Sequence, residues 1–576
     1  MKVMLACFSI YILTLSFTAK IWSPRATNGL NATPQPPLRT TAETSTPVQT
    51  SKREPWNKCP DKTAPPSGNI PTLSELSSQM GDDWHWDWIK QRITSMWSEW
   101  LETATEMRNN HSKLAPPAKR ILVIPGVVTL TNMAQPGVIR TGGPLGDLVQ
   151  WADVIAALHA LGHNVVLRHD FKKTSARLTL TQPGCQYGGF DLIYTDIIGA
   201  KQLSKSVFKK YKCRLRLLDA YGTEAMFNYP NPRHPAAMKY RSTYGGLGLH
   251  LKQFFTYFPH TPDNSFMGFV VPSRLKSHKY SKKENFALIY GKSLRYLEGK
   301  EKYIEAIQSI LPVHATLSVK SLNNKKIINH GVVSHSEYHS LVKRAKICIG
   351  TGQPLESSGA LEAIASGCVF LNPRLENGIK DSGKPTTREV NSQVPYLEDY
   401  VGPPHAYTIN IVDTAAVTDL VRRIIYETAE TKPFIPYEFT AYGFMERLHV
   451  YTTKQDFCKD RNSSTIWPPV SSMVLVVGAT GASCNQACLK KDLVCEQVFF
   501  PFINNIHSMH RSNISCDSSA FKEDVIYPAT VQGGKECSFQ NERLLYSCSQ
   551  GRYPYNRICP CRDFIKYQSA LCTKCL

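Results

Sequence analysis

Residues 346–373 read KICIGTGQPLESSGALEAIASGCVFLNP and predict a strand, a glycine-containing loop, a short helix and a second strand. The apolar run from Ile347 to Ile349 is typical of a strand that is covered on both faces, as in a parallel sheet. Gly350 and Gly352 end this strand where the chain turns toward the helix. The order of elements predicts a doubly wound α/β domain, in which ligands bind at the carboxyl edge of the sheet.

The helix that is predicted to begin near Ser358 directs backbone N–H groups toward the loop, and this positive helix end favours a phosphate. Glu356 and Glu362 lie on either side of its first turn and are suited to accept hydrogen bonds from sugar hydroxyls. The alternative is that both glutamates only offset the helix dipole. This segment alone does not decide between the two interpretations.

The same alternation of strands and helices extends over residues 119–455. Further strands are predicted at ILVIPG, NVVLRHD, DLIYTDI and LRLLDAYG within 119–275, and at NFALIYGK, HATLSVK and AYTINIVD within 276–455. Strands separated by helical stretches indicate parallel sheets. We therefore predict two Rossmann-like domains in tandem, with a cleft between them that holds a large ligand.

The N-terminal sequence has the pattern of a secretory protein. The apolar stretch from Val3 to Ala19 predicts, within residues 1–22, either a type II signal anchor or a cleaved signal peptide. Residues 23–80 are rich in Pro, Ser and Thr and predict a flexible stem. Sequons that predict luminal glycosylation lie at Asn31, Asn110, Asn462 and Asn513.

A tryptophan-rich segment opens residues 81–118 with DDWHWDWIKQRITSMWSEWL. The spacing of its aromatic residues predicts an amphipathic helix with an aromatic stripe. We expect this stripe to pack against a neighbouring domain, and the alternative is a platform on which sugars stack.

Cysteine usage indicates an oxidising compartment. The chain has 17 cysteines, and most of them lie after residue 450, which predicts a disulfide-rich lobe over residues 456–576. The pairs Cys559/Cys561 and Cys572/Cys575 also have spacings compatible with zinc. In a luminal chain we favour disulfides for these pairs.

The formal net charge of +21 comes from basic residues that are dispersed along the chain. A dispersed pattern does not predict a nucleic-acid interface, and a secretory compartment argues against one. The charge instead favours a solvated surface that attracts anionic ligands, glycosaminoglycans among them.

Several long blocks carry a family resemblance: QFFTYFPHTPDNSFMGFVV from Gln253, PYEFT from Pro436, KQDFC from Lys454 and CPCRDFIK from Cys559. From about Arg120 to the C-terminus the chain resembles glycosyltransferase family 18. The resemblance implies a GT-B fold and the inverting transfer of GlcNAc from UDP-GlcNAc to the 6-hydroxyl of an α1,6-linked mannose of N-glycans. It also implies a Golgi membrane protein with a luminal catalytic domain.

The resemblance assigns a catalytic base and a donor site. The family motif GGPLGELVQW appears here as GGPLGDLVQW, which places the base on Asp147, one methylene shorter than glutamate. The alternative for Asp147 is a carboxylate that serves only the helix dipole. The family motif PYEGPAPLEAIA appears as PLESSGALEAIA and assigns donor binding to Glu356 and Glu362. Lys384, in GKPT, corresponds to the lysine that faces the diphosphate.

The resemblance also assigns acceptor residues. The family motif DSFGTEPEFN appears as DAYGTEAMFN and gives Asp219 and Tyr221, and the tryptophan that stacks on the acceptor corresponds to Tyr244. Packing within the core is the alternative for both tyrosines. The chain has no Asp-x-Asp motif, which agrees with the metal-independent chemistry of the family.

Two other functions fit the same residues. The shorter base at Asp147 and the altered donor loop are compatible with a secretory glycan-binding protein that has lost turnover. A paralogous transferase that acts on O-mannosyl glycans differs only in its acceptor.

Overall fold

The structure, a computed structural model, describes residues 71–110, 118–129, 146–180, 189–230, 245–276, 283–289, 291, 294–319, 326–375, 391–427, 431–458 and 466–576. The predicted anchor and the residues Asn31, Tyr244, Lys384 and Asn462 lie outside these ranges. Within them, no helix combines the length and the apolar character needed to cross a membrane.

Two helices precede the first sheet: α1 (Leu73–Met80) and, after a 3₁₀ turn at Trp84–Trp86, α2 (Asp87–Asn110). Helix α1 lies in the range predicted as stem, and that prediction is wrong for these residues. Thr72 and Glu75 form a capping box that begins the helix, and Leu76 and Met80 are buried. The Ser-rich composition around these residues obscured the short helical pattern of buried residues.

The predicted packing is confirmed for two of the five tryptophans of the stripe. Trp86 and Trp100 are buried, and the Trp100 ring lies 6.1 Å from that of Phe444. Only Trp84 is substantially exposed, at 40%. The predicted tryptophan helix therefore joins the segment to the body of the protein.

The first α/β domain has six parallel strands in the order β2-β1-β3-β4-β5-β6. The strands are β1 (Arg120–Val123), β2 (Asn164–Leu167), β3 (Leu192–Asp196), β4 (Leu215–Leu218), β5 (Phe254–Thr256) and β6 (Ser265–Phe266). The helices are α3 (Gly146–Ala160), α4 (Phe171–Thr179), α5 (Ile197–Gln202), α6 (Lys205–Tyr211) and α7 (Ala225–Asn228). The chain reverses its winding between β1 and β3, so a ligand is expected there.

The second domain has six parallel strands in the order β12-β11-β10-β7-β8-β9, the 3-2-1-4-5-6 order of a Rossmann sheet. The strands are β7 (Glu284–Ile289), β8 (Val313–Ala315), β9 (Ile327–Asn329), β10 (Ala345–Ile349), β11 (Val369–Pro373) and β12 (Ala406–Ile409). The helices are α8 (Glu301–Gln308), α9 (His335–Arg344), α10 (Ser358–Ala365) and α11 (Thr414–Arg422). Helix α12 (Ala441–Lys454) follows and returns to pack on α2 and α3. The prediction of two parallel α/β domains is confirmed.

The C-terminal lobe is a mixed sheet in the order β13-β18-β16-β17-β15, and β14 also pairs with β18. Its strands are β13 (Met473–Val477), β14 (Val494–Cys495), β15 (Ser518–Lys522), β16 (Ala529–Val531), β17 (Glu536–Gln540) and β18 (Tyr555–Arg562). Three short helices accompany them: α13 (Cys484–Leu489), α14 (Phe500–Ile503) and α15 (Ile506–Arg511).

Disulfides hold this lobe together, which confirms the prediction that these cysteines form disulfides and not a zinc site. Cys559 and Cys561 bond Cys484 and Cys488, and Cys572 bonds Cys575. Three more bonds join Cys495 to Cys548, Cys516 to Cys537 and Cys213 to Cys458. The last of these ties the lobe's first residues to the first domain.

Arg447 on α12 joins all three parts of the molecule. Its fully buried guanidinium donates to the carbonyl oxygens of Met267 in the first domain and Glu438 in the chain that leaves the second. It also donates to Oε1 of Gln568 in the C-terminal lobe, at 2.7 Å. Burial lowers the pKa of Arg447 from its ordinary value.

We expect Arg447→Met to lower the free energy of unfolding by about 3 kcal/mol, because three buried acceptors lose their donor. Thermal unfolding followed by circular dichroism measures this change. Arg422→Met, at an exposed position of α11, is the matched control and is expected to change stability by less than about 0.5 kcal/mol. Equal effects of the two substitutions would contradict the role of Arg447.

Candidate functional site

The carboxyl ends of both parallel sheets contribute to one site. The first sheet changes winding between β1 and β3, and the second between β7 and β10. Five of the seven predicted catalytic and binding residues lie in the described ranges, and all five follow strands at these carboxyl ends or sit on the helices that come next. The two-domain cleft therefore forms where the topology predicts a ligand.

Asp147 lies in the first turn of α3, the helix that follows β1, and its side chain is half-buried. Desolvation raises the pKa of Asp147 to about 6, and the nearby carboxylates of Asp196 and Asp219 add to the rise. A carboxylate with a pKa near the working pH is suited to act as a general base. Asp196 ends β3 and Asp219 follows β4, so both lie at the same carboxyl edge of the first sheet as Asp147.

Asp196 belongs to this acidic cluster but has a structural role. Its carboxylate caps α5 by accepting from the N–H of Gly199 at 2.7 Å, and it accepts from the N–H of Val127 at 2.9 Å. A side chain at Gly126 would overlap Asp196 and Gly199, so this close approach requires glycine. Asp196 thereby fixes the loop after β1 beside the site.

Asp219 and Tyr221 follow β4, as the sequence predicts for acceptor residues. Asp219 is buried, and its Oδ2 accepts from the hydroxyl of Thr223 at 2.5 Å. Tyr221 is 43% exposed, so it does not pack in the core. Its ring can meet a ligand from the open side of the cleft.

Glu356 is held in an unusual backbone conformation by the second domain. Its φ is +51°, which non-glycine residues seldom adopt. The Glu356 N–H donates to the carbonyl of Gln393, whose side chain in turn accepts from the Gly352 N–H and donates to the carbonyl of Pro354. Gln393 thus shapes the whole loop between β10 and α10.

A histidine from the first domain contacts this glutamate across the cleft. Nδ1 of His260 lies 2.6 Å from Oε1 of Glu356, and both side chains are almost fully buried. Nε2 of His260 donates to the carbonyl oxygen of Tyr221 at 2.9 Å. Because a carbonyl only accepts, Nε2 carries a hydrogen, and Nδ1 is the ring nitrogen that faces the carboxylate. His260 therefore couples the acceptor side to the donor side.

Glu362, on α10, is buried and has a comparable partner. Its Oε2 lies 3.1 Å from Nε2 of His339 on α9. Tyr257 lies within the electrostatic reach of both Glu362 and Asp147, and burial together with these carboxylates raises its pKa well above the ordinary value. Its hydroxyl donates to the carbonyl of Gly146 at 2.6 Å, next to Asp147. The Tyr257 hydroxyl thus contacts the backbone of the residue that precedes the predicted base.

Sequence reasoning missed His260, His339 and Gln393. His260 stands inside the long block from Gln253 that carries the family resemblance, so its presence was visible, but its partner was not. Lys300 was also missed: its side-chain Cε lies near Gly352 in the loop after β10, and its Nζ donates to the carbonyl oxygen of Glu298. Tyr244 and Lys384 lie outside the described residues.

Two of the predicted glycosylation sites can be located. Asn110 ends α2 and Asn513 follows α15, and both are exposed. Their exposure is compatible with glycosylation.

Comparison with known proteins agrees with this architecture. The model of glycosyltransferase family 18 matches residues 41–561. Human alpha-1,6-mannosylglycoprotein 6-beta-N-acetylglucosaminyltransferase A is 36% identical over 87% of this chain and 70% of its own length. The mouse B enzyme is 36% identical over 85% of this chain and 68% of its own. The enzyme of Caenorhabditis elegans is 32% identical over 85% and 77%.

Among solved structures, AviGT4, a glycosyltransferase involved in Avilamycin A biosynthesis, is 12% identical, covers 58% of this chain and 97% of its own, and has a TM-score of 0.38. The family model spans most of the sequence, and relatives above 30% identity cover more than two thirds of it. The chain therefore belongs to glycosyltransferase family 18.

Proposed function

We propose that this chain is an inverting glycosyltransferase that moves GlcNAc from UDP-GlcNAc to the 6-hydroxyl of the α1,6-linked mannose of N-glycans. The proposal is carried by the position of Asp147, whose raised pKa suits a base, in the cleft that also holds Glu356 and Glu362. Relatives named for this activity, at 36% identity, support it. Such a cleft between two Rossmann-like domains is also what a GT-B enzyme requires.

Asp147 removes the proton from the mannose 6-hydroxyl as its oxygen attacks the anomeric carbon of GlcNAc. The bond from this carbon to the UDP oxygen breaks, and UDP leaves with the bonding electrons, so the anomeric configuration inverts. Asp219, Tyr221 and Tyr244 orient the acceptor sugars against this base. The aspartate is one methylene shorter than the family glutamate, so the acceptor must approach its helix more closely.

The donor is bound by the second domain. Glu356 and Glu362 accept hydrogen bonds from hydroxyls of UDP-GlcNAc, and the N-terminal end of α10 lies between them. Lys384 and Lys300 balance the negative charge that develops on the departing diphosphate. We propose that no divalent metal takes part, because lysines supply the charge and the chain lacks an Asp-x-Asp motif.

We propose a Golgi location, with residues 1–22 as a type II anchor and the catalytic domains in the lumen. The six disulfides among the described residues support an oxidising compartment. N-glycans of passing glycoproteins are then the acceptors.

Asp147 replaces the glutamate of the family motif, and this difference favours one competing function, a glycan-binding protein without turnover. A paralogous activity on O-mannosyl glycans is the other. Both predict donor or glycan binding, but neither predicts a β1,6-linked product on an N-glycan.

The product assay tests the proposed function directly. Incubated with UDP-GlcNAc, EDTA and a biantennary N-glycan that ends in GlcNAc, the purified protein is expected to add one β1,6-linked GlcNAc to the α1,6 mannose. Mass spectrometry and linkage analysis identify the product. Donor binding without any product would instead favour the glycan-binding protein, and a product formed only on O-mannosyl glycans would favour the paralogous activity.

Replacement of the base gives a sharper test. We expect Asp147→Asn to lower kcat about 10²- to 10⁴-fold without weakening UDP binding, because the amide cannot accept the proton. In the unsubstituted protein, kcat/KM is expected to fall about tenfold per pH unit below about pH 6, where Asp147 becomes protonated. Initial rates and calorimetric UDP binding measure both effects.

Asp147→Glu is the matched control, since it keeps a carboxylate and restores the family residue. It is expected to retain turnover. If Asp147→Asn turns over within a few-fold of the original chain while it folds normally, the assignment of the base is wrong.

His260 is expected to act as a positioning residue. His260→Ala removes the contact that holds Glu356, so we expect the donor KM to rise about tenfold, with a smaller change in kcat. His260→Asn retains an N–H near the Nδ1 position and is expected to recover part of the loss. Steady-state kinetics at varied UDP-GlcNAc concentration measure the changes in KM and kcat separately.

His507→Ala, at an exposed position of α15, serves as the matched histidine control for this series. Unchanged donor KM in His260→Ala would contradict the positioning role. The role would also be contradicted if His260→Ala melted at a temperature so low that unfolding alone explained the change in the kinetics.

A further inference from the structure

A cluster of two histidines and one aspartate lies at the junction of the N-terminal helices and the first sheet. Asp83 and His85 belong to the turn before α2, and His169 follows β2. The potential ligand atoms of these three side chains all lie within 4.8 Å of one another. Among the described residues, this is the group of His, Cys, Asp and Glu side chains whose geometry suits a metal ion.

The spacing of the three side chains is close to that of a zinc site. Oδ2 of Asp83 is 3.1 Å from Nε2 of His169, and Oδ1 is 2.5 Å from Nδ1 of His85. In a tetrahedral site with metal–ligand bonds of about 2.1 Å, neighbouring ligand atoms are about 3.4 Å apart. Shifts of about 1 Å or less at the side chains would therefore open room for the ion.

The surroundings hold the two imidazoles in place. The rings of His85 and His169 have centroids 4.8 Å apart and an interplanar angle of 17°. Trp84 stacks on His85 at 3.8 Å, and Trp86 meets the edge of His169 at 6.3 Å. Aromatic contacts that fix ligand orientation lower the cost of assembling a metal site.

Local charge and access also suit a cation. Although the whole chain is basic, residues 82–87 contain Asp82, Asp83 and Asp87 and no lysine or arginine, and Asp170 offsets the charge of Arg168 beside His169. The three ligand side chains are between 22% and 35% exposed, so an ion can enter and a water can complete its coordination.

We propose that Asp83, His85 and His169 form a Zn²⁺ site with a solvent molecule as the fourth ligand. The set of two imidazoles and one carboxylate is one that zinc accepts readily. The ion joins the turn before α2 to the loop after β2, and α2 in turn packs on α3, which carries Asp147. Its role is to stabilise the N-terminal helices on the first domain. It does not take part in the transfer reaction.

The test measures zinc content and stability of the full chain. Protein stripped with EDTA is dialysed against buffered free Zn²⁺, and bound zinc is measured by mass spectrometry. We expect about one Zn²⁺ per chain and a rise in melting temperature of about 3 °C. His169→Gln keeps an N–H that can bond Asp83 but is a poor zinc ligand, so it separates the metal site from the hydrogen bond.

We expect His169→Gln and His85→Ala to lose both the bound zinc and the rise in melting temperature, and His507→Ala to retain both. The proposal is overturned if the unsubstituted chain retains no zinc, in which case the three side chains are only hydrogen-bonded. It is also overturned if His169→Gln and His85→Ala bind as much zinc as the unsubstituted chain, because the ion then lies elsewhere.

Discussion

The arrangement of the domains depends on the burial of one guanidinium, that of Arg447. Burying a charge without a carboxylate partner costs free energy unless each N–H finds an acceptor. The acceptors come from the first domain, from the chain leaving the second and from the C-terminal lobe, so the cost is offset only when all three are in place. Helix α12, which carries Arg447, therefore fixes how the carboxyl edges of the two sheets face each other.

With the sheets so placed, the cleft concentrates carboxylates on its first-domain side. Like charges close together favour protonation, and burial acts in the same direction. Backbone N–H groups stabilise the charge of Asp196 and so oppose part of the rise in its pKa. These hydrogen bonds also give Asp196 a structural role. Asp147 has a raised pKa of about 6, with Asp196 and Asp219 contributing to the rise. The two aspartates thus have different roles: backbone N–H groups hold Asp196 in a structural role, and Asp147 is left as the candidate base.

Local patterns in the sequence predicted the strands well, since the buried runs around Ile121, Ile193 and Ile347 leave little choice of structure. They also placed Glu356 in the loop after a strand, and Asp147 and Glu362 on the helices that follow strands. The contact between His260 and Glu356 could not be predicted, because it joins two domains and depends on how they pack. Helix α1 was missed for a different reason: its capping box and its two buried residues lie in a Ser-rich stretch that resembles a linker.

In the proposed donor site, two histidines face carboxylates that are almost completely buried. A buried carboxylate is costly unless it is hydrogen-bonded, yet one ionised carboxylate offers about four acceptor positions. An imidazole can therefore orient Glu356 or Glu362 and still leave acceptor capacity for a sugar hydroxyl. His339 comes from the same domain as its glutamate, whereas His260 comes from the opposite one. Separation of the domains would break only the second pair, so the orientation of Glu356, and with it its proposed role in donor binding, depends on how the two domains face each other.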